Sequence, residues 1–164
     1  KENFFLQYEL GLINDSVFIN KLRGFLKQGV SDKQITDAWN SILGDLPLER
    51  WQLLTNLKDT YRLFLLSNTN SLHVNYYYQF IVKKYGIYGY EHLFEKVYFS
   101  FKLGMRKPDL KIYEFVLLDS KINPEETLFI DDLAVNVEGA GKAGIGGLCI
   151  TPGTLTAVFA EFKE

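Results

Sequence analysis

The sequence predicts an α/β fold, a parallel sheet with helices on both faces, entered through a purely helical segment. Three observations carry this. Beyond residue 60 the chain holds four short, continuous apolar runs, as expected of strands buried on both faces. Stretches of helical periodicity lie between those runs, and strands alternating with helices argue for parallel pairing. Up to about residue 60 the spacing is helical only, so residues 1–60 and 61–164 read as two regions.

In the first region Phe18, Leu22, Phe25 and Leu26 recur at helical spacing, with Asp15 or Ser16 as cap and Gly29 as stop. Ser31 followed by Gln34 reads as a capping box, opening a helix through Ile35, Trp39 and Ile42 to Gly44. Pro47 suits the first turn of a third helix that carries Trp51, Leu54 and Leu57. The apolar runs that follow are 62–67, 97–100, 127–131 and 147–150, and helices are expected over about 72–85, 109–119 and 134–143. A complete α/β domain does not usually open with helices alone, and this one reaches its first strand only after some 60 residues.

Composition narrows the function. With 47% of its residues hydrophobic and 15% aromatic, the chain has apolar surface enough for a substantial core without disulfides. A net charge of −2 leaves no electrostatic footprint for nucleic acid or an anionic membrane. The single cysteine, Cys149, sits in an apolar run and reads as a small core residue of a reducing compartment. No signal-type segment or membrane-length apolar run is present, so a cytoplasmic protein is the expectation.

Ligands of a parallel sheet gather at the carboxyl ends of its strands. The first run ends in Ser67-Asn68-Thr69-Asn70, where a hydroxyl and backbone N–H groups suit phosphoryl oxygens, or where Ser67 or Thr69 caps the next helix. After the second run Pro108 holds Lys107 extended, placing an amine able to neutralise phosphoryl charge. The third run ends in Asp131-Asp132. Adjacent carboxylates there repel one another unless a cation shares the site, and hard oxygen ligands suit Mg²⁺. His73 and His92 lack metal-like spacing, though His73 lies near enough to the first of these turns to touch a substrate. Of the consecutive Tyr76, Tyr77 and Tyr78, at least one is expected to be exposed.

Ser67-Asn68, Lys107-Pro108 and Asp131-Asp132 with Asn136 together resemble the second, third and fourth motifs of the haloacid dehalogenase superfamily. The strings 66–73 and 103–109 are similar to those of bacterial sugar-phosphate phosphatases with a helical cap, of the α-D-glucose-1-phosphate phosphatase type. The string 8–13 resembles the turn between cap helices, and 136–144 the helix after the fourth motif. The resemblance implies a Rossmann-like catalytic core over 61–164 and a small α-helical cap region over 1–60. It implies a Mg²⁺-dependent hydrolase, a phosphatase of small phosphorylated substrates, sugar phosphates among them. Ser67 and Asn68 would bind phosphate; Lys107 would stabilise the charge shared by nucleophile and phosphate. Asp132 would ligate Mg²⁺, Asp131 would orient Lys107 or a metal-bound water, and Asn136 would support them from behind.

The family's first motif, an Asp-x-Asp whose first aspartate is the nucleophile, occurs nowhere in the sequence. The resemblance places its strand in the middle of the sheet, so the nucleophile is expected upstream of Lys1. Without it the 164 residues are expected not to turn over phosphate esters. Two alternatives stand beside the phosphatase: a non-catalytic binding or regulatory protein of the same fold, and a haloacid dehalogenase. Paired Asp131-Asp132 weighs against the last, since halide displacement has no use for a divalent metal.

Overall fold

The computed structural model describes residues 3–45, 47–151 and 159. Eight helices and four strands follow one another in these stretches: α1 Phe4–Glu9, α2 Asp15–Arg23, α3 Asp32–Asn40, α4 Leu48–Lys58, β1 Phe64–Ser67, α5 Ser71–Tyr85, β2 Lys96–Phe99, α6 Ser100–Leu103, α7 Leu110–Ser120, β3 Leu128–Asp131, α8 Ala134–Lys142 and β4 Gly146–Cys149. Short 3₁₀ turns at Tyr90–Leu93 and Pro124–Glu126 lead into β2 and β3. The α/β class is as the apolar runs predicted. Both strand pairs are parallel, β1 with β2 and β3 with β4.

Two compact units share the chain, and each takes two separate segments of it. The first comprises residues 1–46 and 64–104, the second 47–63 and 105–164.

In the first unit Phe18 is fully buried and forms the centre of an aromatic cluster. Tyr8 stacks on it at 4.0 Å and Trp39 meets it edge-on at 4.8 Å. Burying a ring of that size contributes about 2–3 kcal/mol. The helix ends follow local chemistry. Asn14, rather than Asp15 or Ser16, caps α2 by accepting from Val17 N–H, and α2 ends at Gly24 instead of running to Gly29. Ser31 and Gln34 form the expected capping box on α3. That helix stops at Asn40, which leaves Ile42 exposed.

The turn after α1 depends on Gly11, whose φ is +69°. A Cβ there would lie 2.1 Å from the Phe101 carbonyl oxygen, so only glycine lets the turn lie against α6.

In the second unit Ile112, Tyr113 and Val116 of α7 pack inward with Ala140 and Ile145, and Trp51 of α4 is also buried. Gly139 allows α8 to approach closely, since a Cβ would stand 2.7 Å from the Pro108 carbonyl oxygen. The Lys107–Pro108 peptide is cis, and α7 begins only at Leu110, with Asp109 as its N-cap. Pro108 therefore precedes the helix.

Cys149 departs from expectation, being exposed rather than in the core. Its strand β4 pairs on one edge with β3, and most of it lies open. A short apolar run does not distinguish a central strand from an outer one. Tyr76 is exposed, as one of the three consecutive tyrosines had to be.

Candidate active site

The second unit gathers its polar groups at the carboxyl end of β3. Asp131 is the last residue of that strand and is buried, as is Lys107 in the loop before α7. Lys107 Nζ donates to Asp131 Oδ2 at 2.6 Å. The other oxygen, Oδ1, accepts from the Leu133 backbone N–H and from Asn136 Nδ2, each at 2.9 Å. Asn136 is on the first turn of α8, so the five-residue step from strand end to helix brings its amide back onto the carboxylate. Burial alone would raise the pKa of Asp131, but the bonds from Lys107, Leu133 and Asn136 outweigh it and hold the carboxyl below its ordinary range.

The sign of the linkage follows from that direction. A carboxyl depressed in the folded state stabilises the fold fully above its unfolded value of 3.8, and the contribution fades as pH falls through the folded value. The Asp131→Asn variant is therefore expected to lose less stability than the parent as pH falls from about 5 into the acid range. Denaturant titrations across that range check this; parallel curves would contradict it.

Asp132, next in sequence, is exposed, and its carboxylate has no hydrogen-bond partner among the described residues. The donor chemistry fits Mg²⁺. That ion is commonly held by one or two carboxylates with the remaining positions filled by water and phosphate oxygens. Asp132 offers a carboxylate with no partner among the described residues, while the oxygens of Asp131 are engaged by Lys107, Leu133 and Asn136. The described residues contain no cluster of three or more acidic, histidine or cysteine side chains that could enclose a metal unaided.

Ser67 and Asn68 lie in the first unit, at the carboxyl end of β1. The Ser67 hydroxyl has no partner among the described residues. The helix after this turn is capped by Asn70, not by Ser67 or Thr69: its Oδ1 accepts from His73 N–H at 3.0 Å. Fully buried Ser100 clamps the turn, its Oγ lying 3.0 Å from both the N–H and the carbonyl of Thr69. That N–H is thus spent inside the protein rather than offered to a phosphoryl oxygen. Ser100 was not singled out in the sequence, where it reads as the last residue of a strand.

His73 is held by neighbours as well. It stacks on Trp39 at 5.0 Å, its Nδ1 is 3.2 Å from Asn70 Nδ2, and its Nε2 is 3.3 Å from the Trp39 carbonyl. Burial lowers its pKa. Packing of α3 on α5 occupies both ring nitrogens, so His73 is not a free base. His92 is exposed and turns its Nδ1 to the carbonyl of Gly89.

Residues 52–150 match the family of haloacid dehalogenase-like hydrolases, a stretch that includes every site residue named above. The chain belongs to that family. Among its relatives is a D-ribitol-5-phosphate phosphatase of Bacteroides thetaiotaomicron, 27% identical over 142 residues, which are 85% of this chain and 68% of that protein. A haloacid dehalogenase family enzyme of the same organism, solved as the wild-type protein with magnesium and inorganic phosphate, is 39% identical. It superposes with a TM-score of 0.82 over 91% of this chain and 75% of its own. A predicted hydrolase of the family from Porphyromonas gingivalis is 32% identical, with a TM-score of 0.85 over 98% and 78%. For a haloacid dehalogenase-like hydrolase the resemblance implied that Asp131 would orient Lys107 or a metal-bound water, and the two side chains are hydrogen-bonded here. Phe129, whose ring lies 5.3 Å from Lys107 Nζ, and Tyr113, which meets that ring, were not foreseen.

Proposed function

We propose that this haloacid dehalogenase-like hydrolase is a Mg²⁺-dependent phosphatase of small phosphate monoesters, sugar or sugar-alcohol phosphates in particular, working through an aspartyl-phosphate. One observation carries the reading: a buried Lys107–Asp131 pair at the carboxyl end of a parallel strand, followed in sequence by the Asp132 carboxylate, which has no partner among the described residues. The phosphatase relative and the magnesium and phosphate complex of the structural neighbour support it.

Lys107, fixed by Asp131, would set a positive charge against the transferring phosphoryl group, stabilising charge that grows in the transition state. Asp131 would keep that amine aimed, and Asn136 would keep Asp131 aimed. Asp132 would hold Mg²⁺, with Asp131 near it; the ion, when bound, supplies charge neutralisation on the phosphoryl oxygens. Ser67 would hydrogen-bond a phosphoryl oxygen, aided by the backbone at Asn68. The nucleophile of such a reaction is an aspartate, and the family's Asp-x-Asp is not found in the 164 residues. Residues 1–60 would serve as a helical cap that closes over substrate, and 61–164 as the catalytic core. A cytoplasmic setting is proposed with it.

The test is phosphate release from p-nitrophenyl phosphate and a panel of pentitol, pentose and hexose phosphates by the natural-length protein, with Mg²⁺ or with chelator. Chelator should abolish release. Asp132→Asn should raise the Mg²⁺ concentration for half-maximal rate at least tenfold, on the scale of losing one carboxylate ligand. Release indifferent to chelator, or neither turnover nor Mg²⁺ binding in the parent, would overturn the reading.

A further inference from the structure

We infer that Tyr113 and Phe129 are positioning residues, closing a ring of contacts that fixes Lys107 and Asp131 from behind. The inference rests on the phosphatase reading of this site.

The ring can be followed atom by atom within one compact unit. Lys107 Nζ donates to Asp131 Oδ2 at 2.6 Å. Asp131 Oδ1 accepts from Asn136 Nδ2 at 2.9 Å. The Asn136 carbonyl accepts from Tyr113 Oη at 2.7 Å. The Tyr113 ring meets Phe129 edge-to-face, 5.4 Å between centroids at 87°. Phe129 in turn lies under Lys107, whose Nζ stands 5.3 Å from the ring centre. Both ends of the chain of contacts therefore meet at the same amine.

Each link has a directional reason. The negative face of Phe129 attracts the ammonium, and attraction of that kind strengthens where water is excluded. The Tyr113 hydroxyl reaches the backbone of α8 at Asn136, the residue whose side chain holds Asp131. Burial, then the charges of Asp131 and Asp109, push the Tyr113 phenol up to about 12, so it remains a donor through neutral pH. Tyr113 is 1% exposed. Gly139 admits it: a Cβ there would come within 3.0 Å of its ring and 3.1 Å of its hydroxyl. Partners that orient functional side chains from the second layer typically change activity by about 10- to 100-fold when removed.

The test uses Tyr113→Phe, which keeps the ring on Phe129 and removes only the hydroxyl, with Phe129→Leu as a second variant of similar bulk. In the natural-length protein, kcat for p-nitrophenyl phosphate should fall about tenfold in each, with KM within about twofold. Hydrogen exchange of the Asn136 side-chain amide, read by NMR, should quicken in Tyr113→Phe. Unchanged kcat and unchanged exchange would overturn the inference, and so would a loss confined to stability. Should the parent protein release no phosphate, the phosphatase reading fails, while the Asn136 exchange still decides whether Tyr113 orders that helix start.

Discussion

Replacing Lys107 by methionine is expected to lower Mg²⁺-dependent phosphate release by about 10²- to 10³-fold, the loss found when a transition-state charge stabiliser is removed. The same change should cost about 3 kcal/mol of stability. The side chains of Lys107 and Asp131 are only 9% and 6% exposed, so the pair is shielded from water. Removing the amine strands Asp131 as a buried charge, with just the Leu133 and Asn136 donors left to it. The pair need not be stabilising over two apolar residues, because burying both charges has its own desolvation cost. This separates two effects. The double variant Lys107→Met with Asp131→Leu should regain most of the lost stability but none of the activity. Equilibrium denaturation and the phosphate-release assay read them side by side; a double variant no more stable than Lys107→Met would refute the stranded-charge account.

The second large effect is expected far from that chemistry, at Gly11. An alanine there must hold φ near +69°, at about 1–2 kcal/mol, and must also find room where the Phe101 carbonyl oxygen stands 2.1 Å from its Cβ. Backbone has to move to relieve such a contact, so the total should reach about 3–4 kcal/mol. Gly29 provides the control. Its φ is +89°, but nothing lies within 4 Å of an added methyl, so Gly29→Ala should show the conformational cost alone. Denaturant midpoints of the two variants test this. Equal losses would mean that conformation, not contact with Phe101, explains the glycine.

Much of the fold was legible because its signals are local. All four strands fall within a residue or two of the apolar runs, and α5, α7 and α8 follow the helical spacing between them. The capping box at Ser31 was legible for the same reason, since it is closed by a residue three positions away. That each compact unit draws on two separate segments was not legible. Periodicity separates residues 1–60 from the rest, whereas α4 gathers with β3 and β4 and residues 1–46 with β1 and β2. Contacts between distant segments leave no mark on local spacing. Cys149 shows the same limit at the scale of one residue: its neighbours are apolar, but what a strand's outer edge meets is set elsewhere in the chain.

The candidate site divides along the same line. Lys107, Asp131, Asp132 and Asn136 stood out because charged or polar groups at the ends of apolar runs are conspicuous. Tyr113 and Phe129 did not, since an aromatic residue in a helix or strand reads as core, and these two meet edge to face. Their other role rests on direction, an Oη aimed at one carbonyl and a ring face turned to one amine. Ser100 escaped notice likewise, being a strand-end hydroxyl whose bonds to Thr69 span 31 positions.

The interleaving of the two units has a consequence for biosynthesis. A nascent chain leaves the ribosome amino end first, and segment 47–63 emerges before the strands that complete the unit of residues 1–46. The indole of Trp51, buried once folding is complete, has to wait in solvent until residues from Met105 onward are made. Neither unit can close until its second segment has been made, 64–104 for the first and 105–164 for the second.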